Sequence, residues 1–148
     1  MKFNRLGTSD LQVSDICLGT MTWGIQNTQQ DADEQLAFAL DKGVNFIDTA
    51  EMYPVPPNVD TYGDTERVIG NWLSRNASKR KDIILMTKIA GSGLKYIRNA
   101  GPITSGAIAN ALTYSLERLN TDYIDVYQLH WPNRVTPHFG KHWPDGAN

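Results

Sequence analysis

Asp48, Tyr53, Lys88 and His130 supply a carboxylate, a phenol, an ammonium and an imidazole, and each stands at or just past the end of a short apolar run. Phe46-Ile47 leads into Asp48, Ile83-Ile84-Leu85-Met86 into Lys88, and a segment from Tyr123 to Leu129 into His130. Taken singly, each has a structural explanation: a turn cap, a solvated strand end, a core histidine, loop packing. Together they suit proton donation to an oxygen on which negative charge develops. A free phenol titrates near pH 10, so donation near neutrality calls for a depression of up to about three units, roughly 4 kcal/mol. One ammonium at about 4 Å under an effective dielectric of about 20 supplies that much. Lys88 is expected to lower the Tyr53 pKa, Asp48 to keep Lys88 charged and aimed, and His130 to hydrogen-bond the substrate oxygen. None of the four can deliver hydride, so a redox reaction here needs a cofactor.

The elements that must bring these groups together follow from pattern. Phe3 to Leu6 and Leu11 to Val13 flank a Gly7-Thr8-Ser9-Asp10 turn and read as a hairpin, a plug or lid. Ile16-Cys17-Leu18 is a first sheet strand that breaks at Gly19-Thr20-Met21-Thr22-Trp23-Gly24, where glycine permits close approach of a ligand or a tight connection. Asp31-Ala32-Asp33-Glu34 has the form of a capping box, and Leu36, Ala37 and Leu40 continue a helix from about Asp31 to Lys42, with Gly43 as its left-handed stop. After the Asp48 strand comes a proline-rich loop, Tyr53-Pro54-Val55-Pro56-Pro57, which excludes helix and central strand. Gly63-Asp64-Thr65-Glu66 opens a second helix with Val68, Ile69, Trp72 and Leu73 as one stripe. Asp82 to Lys88 is a buried strand, and Gly91-Ser92-Gly93 lacks the full dinucleotide fingerprint. Ser105 is the expected cap of a third helix carrying Ile108, Ala111, Leu112, Ser115, Leu116 and Leu119. Strands alternating with helices imply an α/β fold with a mainly parallel sheet, whose ligands bind at the carboxyl ends of the strands.

The 148 residues carry a net charge of −2 and are 41% hydrophobic, an ordinary globular composition sized for one core. This excludes a charge-driven nucleic-acid binder; the run Lys79-Arg80-Lys81 reads as a solvated helix end. No apolar run spans a bilayer and the first residues lack a signal-peptide core, so the expected setting is cytoplasmic, with no membrane partner. Cys17 is the only cysteine, which excludes an internal disulfide and a cysteine metal cage. His138 and His142 lack the glutamate of the zinc-protease motif, so no metal is expected. From Asn133 to Asn148 the pattern dissolves into an irregular tail.

Four segments resemble the aldo-keto reductase family: Gly19 to Gly24, Phe46 to Tyr53, Met86-Thr87-Lys88, and Tyr123 to Pro132. The run Ala50-Glu51-Met52-Tyr53-Pro54-Val55-Pro56-Pro57 is similar to its Tas-type branch. The resemblance implies a (β/α)8 TIM barrel closed below by a hairpin, reducing aldehydes and ketones with NADPH. By that resemblance Tyr53 is the general acid, Asp48 and Lys88 tune it, and His130 positions the carbonyl. Thr20 and Met21, with Gly19, Gln26 and Asp48, would line the nicotinamide end of the cofactor, while Trp23 and Trp131 would wall the substrate pocket.

Such a barrel takes about 250 residues. The chain accordingly reads as one partial aldo-keto reductase domain over 1–148, truncated to the hairpin and about four βα units. The proton-transfer residues are present and most of the expected cofactor grip is not. The isolated chain is expected to have weak or no activity and to self-associate through unpaired sheet edges. Two other readings are a cofactor-sensing, non-catalytic subunit of the channel-associated type and a non-functional truncated product. An open doubly wound sheet for a flavin or phosphate is disfavoured by the missing phosphate loop and the N-terminal hairpin.

Overall fold

A computed structural model describes residues 1–133. Two short strands, β1 (Phe3–Arg5) and β2 (Gln12–Ser14), form an antiparallel hairpin. The hairpin is fastened below the main sheet through Asn45, whose side chain accepts from Ser14 N–H at 2.8 Å and donates to the Gln12 carbonyl at 2.9 Å. Asn45 precedes the strand that ends in Asp48, so the plug lies at the end of the sheet away from the four chemical residues.

The main sheet is wholly parallel, in the order β3 (Cys17–Gly19), β4 (Phe46–Asp48), β5 (Ile84–Ile89), β6 (Val126–Leu129). The connections are the helices α1 (Gln29–Asp41), α2 (Asp64–Arg75) and α3 (Ser105–Leu119), as the alternation of patterns implied. Residues in register share a face of a parallel sheet. Ile47 and Leu85 point to the helical layer and are fully buried with Leu36, Ile69, Leu73 and Leu119. Each such side chain contributes about 1.5–3 kcal/mol by leaving water. Gly19, Asp48, Met86 and Val126 share the opposite face. On β6, Val126 and Tyr127 are half-buried and Gln128 and Leu129 exposed, as befits an edge strand.

Two helix starts differ from the sequence-based expectation. Thr28, not Asp31, caps α1: its hydroxyl accepts from Asp31 N–H, and the Asp31 carboxylate accepts from Thr28 N–H at 2.7 Å, which makes Asp31 the third helical residue of the box. Thr104 rather than Ser105 caps α3, accepting from Ala107 N–H at 3.1 Å. Gly43 ends α1 at φ +79, as expected.

The helical layer also holds charge. Glu66 on α2 is fully buried, paired with Arg118 of α3 at 2.7 Å and accepting from the Thr87 hydroxyl of β5 at 2.6 Å. Arg80 is not a solvated end: it is buried, paired with Asp125 at 2.7 Å and stacked 3.7 Å from the Tyr123 ring. Where α2 crosses α3, a Cβ on Gly70 would fall 2.1 Å from the Arg118 carbonyl oxygen, so only glycine allows this approach. His138 and His142 lie outside the described residues, as does the irregular tail beyond Asn133. No group of potential metal ligands occurs among the described residues, and none of their helices is long and apolar enough to cross a membrane.

Candidate active site

The register of the sheet staggers the strand ends. Asp48 lies opposite Met86, so Lys88 stands two residues further along β5; Lys88 lies opposite Gln128, and His130 stands two residues further on, just past the end of β6. This stepwise advance matches the shear of a tilted barrel wall, and with period-two alternation it keeps Asp48 and Lys88 on one face.

Asp48 is anchored through its main chain, where the carbonyl accepts from Thr20 N–H at 3.2 Å and from the Thr20 hydroxyl at 2.8 Å. Its carboxylate accepts from Lys88 Nζ at 2.5 Å, and the ammonium also donates to the Thr49 carbonyl at 2.7 Å. Lys88 is 8% exposed. Beyond β4 the chain turns back on itself with Tyr53 N–H donating to the Ala50 carbonyl at 3.1 Å, which brings the Tyr53 ring centroid to 5.0 Å from Lys88 Nζ. His130, fixed by its N–H to the Ile89 carbonyl at 2.9 Å, meets the Tyr53 ring edge to face at 5.5 Å and 82°. All four residues therefore meet at one rim.

The electrostatics depart from expectation in one respect. Burial, and then the Asp48 charge, raise the Tyr53 phenol above its ordinary value rather than lowering it. Lys88 donates to Asp48 and Thr49, so its ammonium is held beside the ring by partners other than Tyr53. His130 is pushed down to about 4 by burial and then by Lys88, so its imidazole is neutral at pH 7. Its buried Nδ1 has no partner among the described residues. The phenol and the imidazole thus both stand neutral, the first carrying its proton.

The remaining candidates divide. Gly19 is exposed beside Asp48 with open space where a side chain would stand, Thr20 is buried, and Met21 and Gln26 are exposed on the turn after β3. Trp131 is buried with Tyr53, Ala50, Met52, Ala90 and Ile97, and its indole N–H donates to the Ser92 carbonyl at 3.0 Å. Trp23 is not beside them. It is 1% exposed in the core between sheet and helices, its indole N–H donating to Gln35 at 3.0 Å, because an apolar ring at the start of the β3–α1 connection is drawn into the layer with Ala32 and Leu36.

Sequence reasoning missed Glu51 and Arg98. Glu51 is fully buried between Asp48 and Tyr53, accepts from Ala90 N–H at 2.6 Å and pairs with Arg98 at 2.7 Å. Arg98, Asn99 and Ala100 all take positive φ, a left-handed turn of three side-chain-bearing residues that costs roughly 1–2 kcal/mol each. The one local signal was Arg98-Asn99-Ala100-Gly101 itself, since asparagine tolerates that region and glycine ends it. A groove of about 770 Å³ lined by Leu73, Arg80, Leu116 and Thr121 lies at the far end of the helical layer and takes no part in this site.

The family model described as the Aldo/keto reductase family matches residues 15–144. Protein tas of Escherichia coli (strain K12) is 46% identical over 153 residues, covering 99% of this chain and 44% of that protein. The uncharacterized oxidoreductase YrpG of Bacillus subtilis (strain 168) is 35% identical, covering 93% of this chain and 42% of that one. Among solved structures, aldo-keto reductase AKR11C1 from Bacillus halodurans in its holo form superposes with a TM-score of 0.70 at 35% identity, over 87% of this chain and 40% of its own. The chain therefore spans somewhat less than half the length of the relatives it matches. With the parallel sheet and its outer helices, these matches give the fold as part of a TIM barrel, and the chain belongs to the aldo/keto reductase family.

Proposed function

We propose that the chain carries the proton-transfer half of an NADPH-dependent reduction of aldehydes and ketones to alcohols. The observation that supports it most is the meeting of four groups at one rim: the Asp48–Lys88 pair at 2.5 Å, Lys88 Nζ at 5.0 Å from the Tyr53 ring, and His130 across that ring at 5.5 Å. The residues beside Asp48 fit the nicotinamide end of such a cofactor. Gly19 leaves room for close approach, Thr20 is fixed on the Asp48 carbonyl, and a buried imidazole nitrogen stands without a partner among the described residues. When bound, the dihydronicotinamide supplies the hydride.

Tyr53 holds its proton through the neutral range and gives it to the carbonyl oxygen as negative charge grows there. The Lys88 ammonium then faces a developing phenolate and favours it, and Asp48 keeps that ammonium in place. His130, neutral, orients the same oxygen by a hydrogen bond. Trp131 and Met52, buried around Tyr53, exclude water from the step. The test is nicotinamide oxidation on mixing the complete natural polypeptide with NADPH and an aldehyde. Turnover is expected, falling about a hundredfold or more in Tyr53→Phe. An undiminished rate in that variant rejects Tyr53 as the acid, and cofactor binding without turnover favours the sensing subunit.

A further inference from the structure

The segment from Gly91 to Gly101 lies against the proposed site and is held there by a device the reaction itself does not use. At its near end Gly91 passes so close under Trp131 that a Cβ would fall 2.2 Å from the indole nitrogen. In its middle Leu94, Tyr96 and Ile97 pack on the cluster that contains Tyr53 and Trp131. At its far end Arg98, in the left-handed turn, reaches back to the Glu51 carboxylate at 2.7 Å and the Ala90 carbonyl at 2.6 Å. Glu51 is itself tied to β5, its N–H donating to the Lys88 carbonyl at 3.2 Å and its carboxylate accepting from Ala90 N–H. One buried carboxylate thus joins the loop bearing Tyr53, the end of the strand bearing Lys88, and the far end of the segment.

We propose that Glu51, acting through Arg98, is a positioning residue that holds residues 91–101 as the substrate-side wall of the Tyr53 site and so sets which carbonyl substituents are accepted. This rests on the reductase reading. A left-handed turn of three non-glycine residues does not persist unless its surroundings hold it. The ion pair is the element that does so: Glu51 is fully buried, one Arg98 nitrogen meets both of its carboxylate oxygens, and two main-chain hydrogen bonds flank the contact. The wall it presents is apolar and aromatic, with Leu94, Tyr96 and Ile97 beside Trp131, which suits a flat aryl substituent on the carbonyl carbon better than a small aliphatic one.

The test compares wild type, Arg98→Ala, Arg98→Lys and Glu51→Gln in the complete natural polypeptide, by steady-state kinetics with an aromatic and a short aliphatic aldehyde and by amide hydrogen exchange. In Arg98→Ala the KM for the aromatic aldehyde should rise by about tenfold with kcat within about threefold, because Asp48, Lys88 and His130 are held by strand ends that do not depend on Arg98. The aliphatic KM should hardly move, Arg98→Lys should restore part of the discrimination, and faster exchange in the Ala and Gln variants should be confined to residues 91–101. An unchanged ratio of aromatic to aliphatic efficiency, or a fall in kcat and melting temperature together at constant KM, overturns the proposal. Wild-type protein that reduces neither aldehyde overturns the reductase reading instead. Exchange then still decides the wall, since unaltered protection of residues 91–101 in Arg98→Ala rejects it.

Discussion

At Tyr53 and His130 the fold moves two ionisations in opposite directions, and both leave the group neutral across the working range. His130 stays deprotonated down to about 4, and Tyr53 stays protonated past its ordinary value. The expected kcat/KM profile is therefore flat from about pH 5 to about pH 9, with no inflection near 6.5 where a free imidazole titrates. An inflection there that vanishes in His130→Gln would show the imidazole to be solvated during turnover. The same shift has a stability consequence of definite sign. Because the folded pKa of His130 is below its ordinary value, the unfolded chain binds a proton between about pH 6.5 and about pH 4 that the folded chain does not. Stability should fall with decreasing pH across that window, less steeply in His130→Gln, as urea titrations at several pH values will show. The residue types and their strand-end positions were legible in the sequence. The direction of the Tyr53 shift was not, because it depends first on how deeply the ring is buried and then on the nearness of the Asp48 charge, both set by the fold. Trp23 was misplaced for a related reason: an aromatic in a glycine loop reads equally as pocket wall or core, and only the packing of α1 decides.

Among the elements, the periodic stripes of α2 and α3 were visible while the contact between them was not. Thr28 and Asp31, or Thr104 and Ser105, are all capable caps, and the choice between them is made by which side-chain oxygen faces the free N–H groups of the first turn. Glu66 is buried, and Arg118 half-buried beside it, because each finds the other across 52 residues, a pairing no local pattern announces. Gly70 is the residue that lets their helices meet. With a Cβ there only 2.1 Å from the Arg118 carbonyl oxygen, Gly70→Ala must push α3 away and loosen the Glu66–Arg118 pair. It should destabilise by about 2–3 kcal/mol despite alanine's higher helix propensity. The measurement is a thermal melt against Gly106→Ala, where the added Cβ meets nothing closer than 4.0 Å and the substitution should be neutral or stabilising. Equal melting temperatures for the two variants would mean that the helices separate without loss.

At the scale of the molecule, the described residues form four parallel strands with a free edge on β3 and another on β6, and on the face turned from the helices Phe46, Ile84 and Val126 are only half-buried. A barrel of this family closes eight strands, so that each edge is paired and that face becomes the packed interior. Expressed as these 148 residues alone, the chain carries among its described residues two ladders of unpaired N–H and C=O groups and a half-covered apolar surface. We expect it to elute well above its monomer mass in gel filtration with light scattering, with a mass that rises with concentration. On the proposed reading NADPH should bind weakly or not at all, because the residues proposed to meet it are confined to the Asp48 rim. Charged substitutions on the edges separate pairing from mere stickiness. Leu129 is an exposed apolar residue on β6, and Leu129→Lys should shift the population toward monomer by placing a charge on an edge strand without touching Tyr53 or Lys88. A compact monomer that melts in one sharp transition and binds NADPH at micromolar concentration would mean that edges and interior are covered from within the chain itself.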